Sequence, residues 1–154
     1  MLNLNCKIST RWLVLAGVIL ATAFANAVEP VNATFFGKIA IKGYDPVAYF
    51  TMDAAVKGNK KYAHEWRGAS WHFSKQENLQ MFKEAPEKYA PQYGGYCAYA
   101  VAQNDTANID PTQYTVYGGK LYLNYNKKIN RKWLANKESF IKEADTHWPG
   151  LLDK

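Results

Sequence analysis

The sequence predicts a small α+β fold: one domain in which two β-hairpins pack against a few helices. Three observations carry that expectation. Residues 61–74, KYAHEWRGASWHFS, and residues 114–125 each read as two short strands around a Gly-containing turn. Residues 75–84 and 127–147 repeat their apolar side chains at helical spacing. A length of 154 residues suits one domain.

The first hairpin has Arg67-Gly68 as its turn. That register pairs Trp66 with Ala69, His64 with Trp71, and Tyr62 with Phe73. Strand side chains alternate, so His64 falls on an aromatic, core-facing side and His72 on the other, beside Ala63. Ahead of the hairpin, residues 28–38 read as an extended leader and Ile39-Ala40-Ile41 as a short strand. Gly43-Tyr44-Asp45-Pro46 reads as a turn, Val47 to Phe50 as a short helix or strand, and residues 53–60 as a loop. Ser74 and Glu77 match a capping box that opens a helix over residues 75–84, with Leu79 and Phe82 inward and Pro86 as its stop. Gly94 and Gly95 allow unusual backbone angles, and the alanines after Cys97 favour a short helix. Residues 103–111 are polar and read as a surface loop. Gly118-Gly119 suits the turn of the second hairpin. The longest helix is expected over residues 127–147, with Ile129, Trp133, Phe140, Ala144 and Trp148 at helical spacing and Pro149-Gly150 as its end. No internal repeat of 20 to 50 residues is evident.

Residues 1–27 read as a secretion signal. Lys7 and Arg11 precede WLVLAGVILATAF, an uncharged run of 13 residues, and Ala25-Asn26-Ala27 supplies a small-x-small cleavage site. A spanning helix needs about 20 apolar residues, so the run is short for an anchor. Cleavage after Ala27 would leave residues 28–154 as a soluble domain in the periplasm or the medium. Removing 27 of 154 residues, with Lys7 and Arg11 among 19 basic ones, leaves 127 residues and a formal charge of +4. The tightest basic cluster, NKKINRK at residues 126–132, reads as a solvated helix start. With no basic stripe, a nucleic-acid partner is not expected.

Cleavage also removes Cys6, so Cys97 is left without an intramolecular disulfide partner. Such a thiol is metal-bound, reactive or simply buried. As a thiolate it would suit copper(I) or zinc. His64, His72, His147 and Met81 are the candidate co-ligands, although no spacing preorganises them. The alternative is a small inert residue in the core. Asp45 bonds its own turn backbone or contributes a carboxylate to a site. His147, beside Trp148 at the expected helix end, suits a role on the terminal carbonyls. No GK[ST] follows Gly94-Gly95 and no serine lies in a Gly-x-Ser-x-Gly elbow, so a nucleotide enzyme or a hydrolase has no support.

The chain resembles the YHS-domain family in its exported bacterial branch. The matching residues are GYDPVAYF (43–50), the WRGASWHFS hairpin and NLQMFKEAPEKYAPQYGGYCAYA (78–100), with LYLNYN (121–126) and ADTHWPGL (144–151) typical of the longer exported members. The resemblance implies a small metal-binding module. It also implies cysteines after the Asp-Pro-Val, after the Phe that closes the hairpin, and four residues further on. Those positions are Ala48, Ser74 and Asn78 in this chain, which leaves Cys97 as the soft ligand. The expectation is an exported small binding protein, not an enzyme, holding copper or zinc near Cys97 with His64, His72, Met81 and Asp45 as further ligands. Two alternatives stay open. One is a scaffold for a non-metal small ligand or a partner protein, with Cys97 buried. The other is a thiol redox protein.

Overall fold

The computed structural model describes residues 28–153. The expected signal peptide, residues 1–27, lies outside the described residues. The order of elements is α1 (Ala48–Thr51), β1 (Asn59–Trp66), β2 (Ala69–Phe73), α2 (Gln76–Glu84), α3 (Pro86–Tyr89), α4 (Ala98–Ala102), β3 (Asp110–Tyr117), β4 (Lys120–Asn124), α5 (Lys127–Leu134) and α6 (Lys137–Leu152). This is the expected small α+β fold, with β1-β2 and β3-β4 as two separate antiparallel hairpins. Among the described residues no helix is long and apolar enough to cross a membrane.

The turns set the hairpins. Arg67 and Gly68 both take positive φ, as do Gly118 and Gly119, the geometry of a two-residue turn that follows strand twist. His64 stands opposite Trp71, Trp66 opposite Ala69, and Ala63 opposite His72, as the sequence predicts. The expected Tyr62–Phe73 pair does not form. Phe73 is opposite Asn59, because β1 carries an irregularity between Asn59 and Ala63. Gly58 adjoins it: a Cβ there would sit 2.5 Å from the His72 carbonyl, so glycine lets the chain entering β1 pass β2 this closely.

Phe82 of α2 gathers the first core. Its ring stacks on Trp71 at 5.2 Å and packs against Phe73 at 5.1 Å and Trp66 at 5.6 Å. Leu79 is buried with it, as predicted. A second cluster joins Tyr93, Tyr122, Trp133 and Ala144, with Phe140 and Trp148 against it.

Four local expectations are corrected. Ile39 and Ala40 make only isolated bridges, and Ile41–Gly43 is a 3-10 turn, so no strand forms there. Over Val47 to Phe50, where a helix or a strand was expected, the helix forms, as α1 with Val47 at its N-cap, and needs no correction. Ser74 does not cap α2: Lys75 holds the N-cap position with no side-chain bond, and the Ser74 hydroxyl is committed to Asp45. The long helix over 127–147 is two helices broken at Ala135-Asn136, where Asn136 leaves helical geometry at φ −149° and ψ 42°. The break lets Trp133 on α5 and Ala144 on α6 reach one cluster. Pro149 and Gly150 do not stop α6. Proline removes a single helical bond near the end, and buried Leu151 holds the last turn down.

The two hairpins also repeat one another. Asn59 opposite Phe73 and Ala63 opposite His72 recur as Asp110 opposite Asn124 and Tyr114 opposite Leu123, and the same register irregularity lies between the two pairs each time. Every matched position is 51 residues on, and so is the start of the following helix, Gln76 to Lys127. Each hairpin is preceded by a 3-10 turn with positive φ, Ile41–Gly43 and Gln92–Gly95, and then by a short helix, α1 or α4. The sequence trace is slight: Gly43-Tyr44-Asp45 with Ala48-Tyr49, against Gly95-Tyr96-Cys97 with Ala98-Tyr99. The chain therefore carries an internal structural repeat, beyond the spacing at which none is evident in sequence.

Candidate functional site

The expected ligands fall in separate places. Cys97 is buried at the foot of α4, 1% exposed. Its thiol donates to the Asn124 amide oxygen at 3.6 Å, and the same oxygen accepts the Tyr99 backbone N–H at 3.2 Å. Burial pushes the Cys97 thiol pKa up, against smaller opposing backbone bonds at Ala100, Tyr125 and Tyr99. That environment favours the neutral thiol over the thiolate that a metal ligand or nucleophile requires.

His64 lies half-buried on β1, edge-on to Phe82 at 6.5 Å. His72 is the more buried of the two, at 9% exposure, contrary to the expected polar side. Closure of the chain at Gly43 and Gly58 covers it: a Cβ on Gly43 would stand 3.4 Å from its Nδ1. Burial first, then Lys60 and Lys57, lower the His72 pKa, with Glu65 opposing. Met81 is half-buried against the first core. His147 lies inside α6, not at its end, so it does not meet the terminal carbonyls. Among the described residues no three His, Cys, Asp or Glu side chains gather into a metal-holding group.

Asp45 is fully buried and its carboxylate is filled by donors. Oδ1 accepts the backbone N–H of Val47 at 2.9 Å and of Ala48 at 3.3 Å. Oδ2 accepts the Ser74 N–H at 2.8 Å, the Ser74 hydroxyl at 2.6 Å and the Asn78 amide at 2.6 Å. Five donors offset the cost of burying the charge. The carboxylate ties the start of α1 to the junction of β2 and α2. Ala48, Ser74 and Asn78, where the resemblance places cysteines, thus meet around one carboxylate. Sequence reasoning placed Asp45 in its own turn and missed the partners 29 and 33 residues away.

A cleft of about 400 Å³ opens where the two repeats meet α6. Its walls include Trp66, Arg67, Trp71, Tyr93, Lys120 and Trp148, with Pro30 and Val31 along one rim. Gly94 seats that rim, accepting the Asn32 N–H at 2.8 Å, and a Cβ at Gly94 would stand 2.1 Å from the Pro30 carbonyl. Arg67 lies over the Trp66 ring at 4.6 Å and pairs with Glu87 at 2.7 Å. The Tyr93 hydroxyl donates to Asp145 at 2.9 Å, and burial, then this bond, hold its pKa high. Trp148 stands against Tyr93 at 6.1 Å and Tyr96 at 5.9 Å. Two cations, Arg67 and Lys120, face two carboxylates, Glu87 and Asp145, so the lining balances in charge. No single segment announces this cleft in sequence, because its aromatic residues come from both hairpin 1 and the far end of the chain. Compared with known proteins, the chain matches no family model, no curated protein and no solved structure.

Proposed function

We propose that the protein is an exported small-ligand-binding domain of YHS type, whose site is the cleft between Trp66, Trp71 and Trp148. The observation that carries this is a concavity of about 400 Å³ in which half-buried Trp66 and Trp148 stand among Arg67, Glu87, Lys120 and Asp145, within the size that ligand pockets take. Trp66 and Trp148 offer faces for a flat ring, and the balanced charges around them favour a ring with polar substituents and no net charge. Cys97 then serves the core as a buried neutral thiol. No residue in the cleft forms a nucleophile and base pair, so the reading is binding without catalysis.

Native mass spectrometry and elemental analysis on protein recovered from the exporting cell test this. A small organic ligand retained at one per chain, and lost in Trp148→Ala, is the expected result. Stoichiometric copper or zinc that is lost in Cys97→Ala would replace the cleft by the thiol site. Neither ligand nor metal, with no aromatic probe bound, would also count against the cleft.

A further inference from the structure

The segment before the first repeat ends in a feature the cleft does not use. Phe35 and Phe36 are 87% and 85% exposed, side by side at the tip of a turn, their rings edge to face at 5.0 Å. The turn is well tied. Thr34 donates its N–H to the Ile39 carbonyl at 3.0 Å, and Ile39 donates to the Thr34 hydroxyl at 3.0 Å. That hydroxyl donates in turn to the Phe36 carbonyl at 2.7 Å. Ala33 and Ala40 bridge the base, and Ala40 is held to Ser70 of β2 at 2.9 Å. Two phenyl rings presented to water on a fixed support cost solvation free energy and return none within the domain.

The surroundings are basic. Residues 28–61 hold five lysines (Lys38, Lys42, Lys57, Lys60 and Lys61) against Glu29, Asp53 and the buried Asp45. Ile39 links the turn to this charge: its side chain lies 3.5 Å from the Cβ position of Gly37 and 3.4 Å from that of Gly43, and the Lys57 ammonium lies 3.8 Å from the latter. Lys38 adjoins the tip and pairs with Glu29 at 3.6 Å. An apolar tip with a basic flank matches a bilayer surface carrying negative headgroups, where rings enter the acyl boundary and ammonium groups stay at headgroup level.

We infer that Phe35 and Phe36 dock the domain on an anionic lipid surface, with Lys38, Lys42 and Lys57 facing the headgroups. Docking would hold the domain at a membrane after any leader has been removed, with the cleft built from other residues.

The test is co-sedimentation of the exported protein, its N terminus fixed at Val28 by mass, with vesicles of phosphatidylglycerol and phosphatidylcholine or of phosphatidylcholine alone. Binding is expected to the anionic vesicles, to fall with added salt, and to drop about tenfold or more in Phe35→Ser/Phe36→Ser. Thermal melting of the variant should match the parent, because both rings lie outside the core. Equal binding by parent and variant, or no binding to anionic vesicles, would overturn the proposal. Loss of a dimer in the variant without any vesicle binding would overturn it in favour of a second copy as the occupant.

Discussion

Cys97 occupies in the second repeat the place that Asp45 holds in the first. Each follows a Gly-Tyr in which the glycine takes positive φ, at Gly43 and Gly95. Each precedes a short helix, and each side chain turns to the end of the second strand of its hairpin, to Ser74 or to Asn124. The chemistry at the two places is opposite. Asp45 faces donors, whereas Cys97 is itself a weak donor facing an amide oxygen.

Asp45 should therefore be a stability residue. Removing its carboxylate leaves the Ser74 N–H, the Ser74 hydroxyl and the Val47 N–H without their acceptor and the Asn78 amide with only its long bond to the Ser74 hydroxyl at 3.4 Å, and each buried orphan costs about 1–3 kcal/mol. Asp45→Ala is expected to lose about 3 kcal/mol or more in urea unfolding, and Ser74→Ala about 1–2 kcal/mol. An unchanged urea midpoint for Asp45→Ala would contradict the network.

Cys97 should be slow to react. Alkylation of the folded protein is expected to lag far behind that of the unfolded chain at the same pH, with a chelator making no difference. Cys97→Ala should cost about 1–2 kcal/mol, the loss of a small buried contact. Cys97→Asp, which copies the first repeat, should cost more, because the carboxylate would meet the Asn124 oxygen where Asp45 meets an N–H. Rapid alkylation in the native state would sink this account of the thiol.

Stability should fall at high pH. Burial raises the pKa of Cys97, Tyr49 and Tyr93 in the folded state, so the folded chain holds these protons more tightly than the unfolded one. Their contribution is complete below the unfolded values, roughly 8.5 for Cys and 10 for Tyr, and is lost as pH rises through the folded values. His72 works the other way. Its folded pKa is depressed, so its contribution is present above roughly 6.5 and is lost as pH falls through the folded value. Urea midpoints measured across pH should drop on both flanks, and His72→Gln should flatten the acid one.

Local chemistry was legible and long-range closure was not. Arg67-Gly68 and Gly118-Gly119 announce their turns because a two-residue hairpin needs positive φ there, so most of the hairpin pairing followed. The irregularity at Asn59 was hidden, because register is set by contacts between strands; it recurs at Asp110, where Ile109 stands in the place of Gly58. Pro149 misled because one missing bond near a helix end is cheap when Leu151 is buried beyond it. Ser74 resembled a cap because capping is a local pattern, while its real partner lies 29 residues earlier. The repeat left few matching letters, since hairpin register and turn geometry tolerate different side chains. The cleft was invisible for the same reason as the Asp45 network: its walls meet only in the folded chain.

The most direct measurement follows the tryptophan indole N–H signals by NMR during titration with indole and with its anionic counterpart indole-3-acetate. Four tryptophans lie among the described residues, and Trp133 serves as the internal control, being fully buried outside the cleft. Indole should shift the half-buried Trp66 and Trp148 together, more strongly than indole-3-acetate does, and leave Trp133 in place. Shifts confined to Trp133, or none at Trp66 and Trp148 with either probe, would contradict the cleft as the binding site.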